Sequence, residues 1–273
     1  MQTKTTQAVI FDIGGVLLDG NSPMPGAVDA LARLREASIP FLLLTNTTRR
    51  SHADLLATLH EAGLDVSAQQ LLTPARAAAA WLQSHQTHGV LLIHPGLLPD
   101  FAGADTTLIG AKIEATGPRA VIIGDAGEGF TYTALNAAFR ELMAGATLIS
   151  LSDSRYFREA DGLSLDAGPF VRLLENAAGV TSIAMGKPGA SFFQQAIAAL
   201  GFCAENITLI GDDVHSDIQG AHAVGLRTTL VRTGKFQTDD ISETSCNRLQ
   251  RRFIGSGQVG CDPRIFRCFN QQR

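Results

Sequence analysis

Short runs rich in Ile, Leu and Val recur along the chain at Ala8–Phe11, Phe41–Leu44, Val90–Ile93, Ala120–Ile123, Thr147–Leu151, Thr208–Ile210 and Thr228–Val231, each bounded by polar residues or glycine. Their apolar character is nearly continuous, as expected of parallel strands covered by helices on both faces. Between them the spacing becomes helical. Val28, Leu31, Ala32 and Leu34 predict a helix over Gly26–Glu36 behind Pro25. Ser51–Ala62 repeats the pattern, with Gly63 as a cap beyond its end. Further helices are expected over Pro74–Leu82, Tyr132–Met143, Gly168–Ala178, Ser191–Leu200 and Ile218–Val224, and Asp161-Gly162 predicts the turn of a hairpin. Strands alternating with helices indicate an α/β protein built on a doubly wound parallel sheet. The stretch from Pro74 to Met185 holds enough elements for a second α/β unit. The expected organisation is therefore a core made of 1–73 and 186–241, interrupted by an inserted α/β domain over 74–185. Residues 242–273 follow neither period and are expected to form a disordered tail.

Composition narrows the class. The 273 residues are 45% hydrophobic and 18% charged, the profile of a soluble α/β enzyme. A net charge of −4 and a pI near 6.0 argue against a general nucleic-acid partner. The polar start Met1–Gln7 is not followed by an apolar region of signal-peptide form, and no apolar run reaches the ~18 residues needed to span a bilayer. No membrane association is expected, and the cytoplasm is the expected compartment. Four cysteines in a chain of this length do not read as a disulfide framework.

Polar groups at the ends of several strands change the picture further. The first run ends on Asp12 and then on Gly14-Gly15; the second is followed by Thr45-Asn46; Thr208–Ile210 leads into Gly211-Asp212-Asp213, with Asp217 one helical turn on. In open α/β sheets ligands bind outside the carboxyl ends of strands. A hydroxyl, a carboxylate cluster and Lys187, wedged between Gly186 and Pro188, suit a phosphate held with a magnesium ion. Each feature has an ordinary alternative: an Asp/Gly turn at Asp12, a helix cap at Thr45-Asn46, a solvated helix start at Asp212–Asp217 and an exposed lysine at 187.

Other patterns fail on context. Gly186-Lys187 is not a Walker loop, because Thr181 and Pro188 stand where glycine and Ser or Thr are required. Gly255–Gly260 matches a dinucleotide fingerprint by letter but has no strand before it. Cys246, Cys261 and Cys268 lack the paired spacing of a zinc site. His94 and His215 lie near strand ends, where a packed or capping role is favoured.

Taken together, Asp12–Leu17, Thr45-Asn46, Gly186-Lys187-Pro188 and Gly211–Asp217 resemble the four ordered motifs of the haloacid dehalogenase superfamily of phosphohydrolases. With the inserted unit between the second and third motifs, the chain is similar to the NagD-like branch, in which a Rossmann-like core carries a large α/β cap domain. Ala126–Tyr132, Leu163–Pro169 and Val231–Phe236 are similar to stretches of phospholysine phosphohistidine inorganic pyrophosphate phosphatase-like proteins. The resemblance implies that Asp12 attacks phosphorus to form an aspartyl-phosphate, which water hydrolyses. It implies Mg²⁺ held by Asp12, the main-chain carbonyl of Gly14, and Asp212. Phosphate-binding roles fall on Thr45, Asn46 and Lys187, the lysine bridging Asp12 and the phosphoryl group, and outer-shell roles on Asp213 and Asp217. The substrate class is a small phosphorylated molecule, with phosphohistidine and phospholysine among the candidates, and family analogy leaves a homodimer open.

One position departs from the family. The second Asp, two residues after the nucleophile, is here Gly14. The group that protonates the leaving oxygen is thus missing, worth roughly 10²- to 10⁴-fold in rate. The departure points to substrates with good leaving groups, such as pyrophosphate, phosphoramidates and aryl phosphates. The alternative is a catalytically weakened phosphate-binding or regulatory protein of the same fold. Asp19 is a substitute proton donor to consider, and Asp125, Glu128, Tyr132 and the loop near Asp166 are candidates for substrate contacts from the cap.

Overall fold

The computed structural model describes residues 6–113, 116–159 and 161–237; the tail expected at 242–273 lies outside them. The chain opens with β1 (Ala8–Asp12), buried at every position. A small antiparallel pair, β2 (Leu18–Asp19) with β3 (Ser22–Pro23), leads to α1 (Ala27–Glu36), β4 (Phe41–Leu44), α2 (His52–Glu61) and β5 (Leu71–Leu72). The buried face of α1 is Ala27, Ala30, Leu31 and Leu34, while Val28 is exposed. The stripe at i, i+3, i+4 and i+7 therefore starts one residue earlier than Val28 suggests.

The second α/β unit begins with α3 (Pro74–Ser84), where Thr73 accepts a hydrogen bond from the Arg76 N–H at 3.3 Å and Pro74 occupies the first turn. It continues through β6 (His88–Leu92), β7 (Thr106–Leu108), β8 (Arg119–Ile123), α4 (Tyr132–Met143) and β9 (Thr147–Ser150). The hairpin β10 (Tyr156–Glu159) and β11 (Gly162–Leu165), α5 (Ala167–Ala178) and β12 (Ile183–Ala184) complete it. Helix α5 is framed by its caps: Asp166 accepts from the Ala167 N–H, and Gly179 closes the helix with φ +67°.

After α6 (Ala190–Leu200) come β13 (Ile207–Gly211), a π-helical turn (Val214–Gln219), α7 (Gly220–Ala223) and β14 (Arg227–Leu230). The helix expected over Ile218–Val224 thus starts earlier, directly behind the strand. The Asp213 carboxylate accepts from the N–H groups of His215 and Ser216, each at 2.9 Å, and so satisfies the first turn. Strands β2, β3, β5, β7 and β12 are too short to leave a periodic trace in the sequence.

The described chain divides into two compact units. Of the described residues, one unit comprises those of 6–45, 55–72 and 193–237; the other comprises those of 46–54 and 73–192 and so takes in 46–54 and 186–192, which the sequence assigns to the core. The first unit has a parallel sheet of order β14-β13-β1-β4-β5. Chain order proceeds outward from β1 on one side and returns on the other, so β1 lies at the switch point where ligand crevices form. Phe11, Leu17, Leu31, Leu43, Leu59 and Ile210 are central to its core. The second unit has its own parallel sheet, β12-β9-β8-β6-β7, and its own core around Val121, Ile123, Leu148, Val171 and Leu174. No helix among the described residues is long and apolar enough to cross a membrane.

Candidate active site

Strand order builds the acidic site in the first unit. Phe11 pairs with Ile210 and Asp12 with Leu44, so β1 and β13 end side by side. Asp12 is the last residue of β1, and Asp212 follows the last residue of β13. One carboxylate oxygen from each of Asp12, Asp212 and Asp217 lies within 4.8 Å of the others, and the three residues are only 8%, 2% and 0% exposed. Asp217 reaches this position by folding back against the strand end. Its Oδ2 accepts from the Asp213 N–H at 3.2 Å, and a Cβ on Gly211 would lie 2.5 Å from that same oxygen, so only glycine leaves room at 211. The burial of three close carboxylates is costly for like charges, and a hard divalent cation offsets it. The donor set therefore fits such an ion.

Asp213 points elsewhere. It caps the π-helical turn and lies 3.4 Å from the Lys235 ammonium. Burial would raise its pKa, but the Ser216 N–H and the Lys235 charge outweigh burial and hold it below the ordinary carboxylate value. Thr45, buried, follows the end of β4. Gly14 is exposed, and a Cβ added to it would meet nothing within 4 Å. Asp19 is exposed in the β2–β3 pair, bridged to Ser22.

The structure brings Asn46 and Lys187 together within the second unit. The Asn46 amide accepts from the Lys187 N–H and donates to the Lys187 carbonyl, both at 2.7 Å. Lys187 is 4% exposed. A Cβ on Gly186 would lie 2.6 Å from the Leu151 carbonyl oxygen, which accounts for the glycine.

Among the residues considered for substrate contact, Asp125 is buried and ion-paired with Arg49, and it accepts from the Gly127 N–H at 3.0 Å. The Arg49 guanidinium also stacks 4.4 Å above the Phe157 ring. Asp166 caps α5, Glu128 is exposed in a short 3₁₀ turn, and Tyr132 is 83% exposed. His94 takes the capping role, accepting from the Gly96 N–H, and His215 is exposed beside Gln219. Sequence reasoning missed Arg49, whose partner is 76 positions away, and the Thr233-Gly234-Lys235 segment, where the Lys235 N–H donates to Asp212 Oδ2 at 2.7 Å. The only trace of that segment is the similarity of Val231–Phe236 to relatives; no local period marks it.

Comparison with known proteins identifies the class that this fold and acidic site define. Residues 9–105 match the haloacid dehalogenase-like hydrolase family, and residues 184–250 match a second HAD-hydrolase-like family. Human phospholysine phosphohistidine inorganic pyrophosphate phosphatase is 39% identical over 240 residues, covering 86% of this chain and 86% of its own length. Human haloacid dehalogenase-like hydrolase domain-containing protein 2 is 39% identical over 237 residues, covering 87% of this chain and 88% of its own length. The chain belongs to the haloacid dehalogenase-like hydrolases, and it is an enzyme of their phosphatase group. Among solved structures, NagD from Escherichia coli K-12 shares the fold at 24% identity and a TM-score of 0.76, covering 94% of this chain and 95% of its own. A glycerol phosphate phosphatase from Mycobacterium tuberculosis, in complex with calcium, is 26% identical with a TM-score of 0.69, covering 84% of this chain and 66% of its own.

Proposed function

We propose that the protein is a Mg²⁺-dependent phosphohydrolase working through an aspartyl-phosphate on Asp12, with pyrophosphate, phosphoramidates such as phosphohistidine or phospholysine, and aryl phosphates as its substrates. The observation that carries this reading is the burial of the Asp12 carboxylate in one group with Asp212 and Asp217 at the carboxyl end of the sheet. The similarity to human phospholysine phosphohistidine inorganic pyrophosphate phosphatase supports the substrate class.

Asp12, the Gly14 carbonyl and Asp212 would hold Mg²⁺, which when bound supplies positive charge against the phosphoryl oxygens. An Asp12 oxygen attacks phosphorus, and the bond from phosphorus to the leaving oxygen or nitrogen breaks with its electron pair passing to the leaving group. Water then attacks phosphorus, its proton passing to the phosphate formed or to solvent, and the bond to Asp12 breaks with its electron pair returning to the carboxylate. The Thr45 hydroxyl donates to a phosphoryl oxygen and Lys187 neutralises its charge, roles the family resemblance assigns. Asn46 holds the Lys187 main chain. Asp217 supports the ligand set from outside it, and Asp213 holds Asp217 through its main-chain N–H. With glycine at 14, departing groups must need little protonation: phosphate, a phenolate, or a nitrogen that is already protonated. The segment 74–185 acts as the cap that selects among them.

The test is phosphate release with Mg²⁺ from pyrophosphate, phosphohistidine, 4-nitrophenyl phosphate and sugar phosphates, with and without EDTA. Expected is Mg²⁺-dependent turnover of the first three, abolished in a folded Asp12→Asn variant. Activity retained in Asp12→Asn, or a preference for sugar phosphates, overturns the reading.

A further inference from the structure

Behind β14 the chain returns to the end of the first sheet. The Val231 N–H donates to the Gly211 carbonyl at 2.9 Å, and the Thr233 hydroxyl donates to the Gly15 carbonyl at 2.5 Å across 218 positions of sequence. The Lys235 N–H donates to Asp212 Oδ2. Gly15 and Gly234 both adopt left-handed backbone, with φ +77° and +57°. A Cβ on Gly15 would lie 2.7 Å from Gly234 Cα, one on Gly234 would lie 2.6 Å from Gly15 Cα, and either would collide with the Asp212 carboxylate. Two backbones and one carboxylate thus pack together with no space for a side chain.

We infer that Thr233-Gly234-Lys235 is a positioning strap for the metal site, fastening the turn that carries Gly14 to the carboxylate of Asp212. The inference rests on the Mg²⁺ reading above and adds residues to it. Gly14 and Asp212 stand on loops 198 positions apart by their numbers, Asp212 less Gly14, and neither loop by itself fixes the distance between them. Thr233 anchors one loop through the carbonyl next to Gly14. Two residues later a main-chain N–H takes up one lone pair of Asp212 and fixes how its carboxylate is turned. Outer partners of this kind are typically worth 10- to 100-fold in metal affinity. The Lys235 ammonium, 75% exposed beside Asp213, contributes little by comparison.

The test is calorimetric titration of the full chain with Mg²⁺ in the absence of substrate, for wild type, Thr233→Val, Thr233→Ser and Gly234→Ala, with thermal unfolding in EDTA run alongside. Thr233→Val should weaken Mg²⁺ binding about tenfold, toward the low end of the outer-partner range. Thr233→Ser, which keeps the donor, should restore it, and Gly234→Ala should weaken binding at least as much as Thr233→Val. A Thr233→Val protein that binds Mg²⁺ like wild type, whether or not its melting temperature falls, overturns the strap, because a merely structural link moves the melt alone. If Gly234→Ala does not fold, the two Thr233 variants still decide. A wild-type protein that binds no Mg²⁺ overturns the metal reading and the strap with it.

Discussion

The side-chain amide of Asn46 spans both main-chain polar groups of Lys187, accepting from its N–H and donating to its carbonyl at 2.7 Å each. Lys187 is buried, so water does not readily replace either bond. Asn46→Ala leaves a buried donor and a buried acceptor without these partners, at a cost of about 1–3 kcal/mol per group. Asn46→Asp keeps the acceptor but sets a carboxylate oxygen against the Lys187 carbonyl. Both variants should unfold at lower urea concentration than wild type and lose activity. An unchanged urea midpoint in Asn46→Ala would show that the pair does not contribute to stability.

Gly14 has open space where a side chain would stand, and its backbone is not left-handed. Gly14→Asp should therefore fold and supply the missing proton donor. Hydrolysis of alkyl phosphomonoesters should rise by up to ~10²-fold, the low end for an acid/base group, and more than hydrolysis of pyrophosphate. The ratio of the two activities is the observable, with the Mg²⁺ dissociation constant as a control. A ratio unchanged in a variant that still binds Mg²⁺ would sink the leaving-group argument.

Gly211→Ala places a methyl group against the Asp217 side chain, with Oδ2 only 2.5 Å from the new carbon. Asp217 cannot retreat without leaving the acidic group, and β13 is buried throughout. The variant should lose about 1–3 kcal/mol of stability from overpacking and bind Mg²⁺ more weakly. Denaturant titration and calorimetry would read the two effects separately. Native values of both would mean that the strand end yields more easily than the packing implies.

Burial raises the pKa of Asp166 above 3.8, an effect reinforced by the negative charge of Asp125 and only partly offset by the Ala167 N–H. The folded protein then binds this proton more tightly than the unfolded chain does. Unfolding free energy contributed by Asp166 accordingly falls as pH rises from 3.8 through the raised folded value. Asp166→Asn keeps an acceptor for the helix cap and removes the titration. Its urea midpoint should decline less than that of wild type over this interval; parallel declines would rule out Asp166 as the source.

Much of the molecule was legible from local pattern. The buried run of β1 ends on Asp12, α4 has the predicted bounds Tyr132–Met143, and Asp161 lies between β10 and β11 with Gly162 opening the second strand. Each depends on residues within a few positions of one another, where hydrophobic period and turn chemistry act directly. The polar groups at the strand ends were legible for the same reason, and the hydrolase family through the resemblance of their four ordered motifs to it. Tertiary structure alone decided how those groups divide. It sets Asp217 into the acidic group over Gly211 while Asp213 turns away to cap a helix, although the two carboxylates are four residues apart. It pairs Arg49 with Asp125, fixes Lys187 to Asn46, and brings Thr233 to Gly15. Those contacts follow from which strands lie side by side and from close backbone approach, and neither leaves a period in the chain.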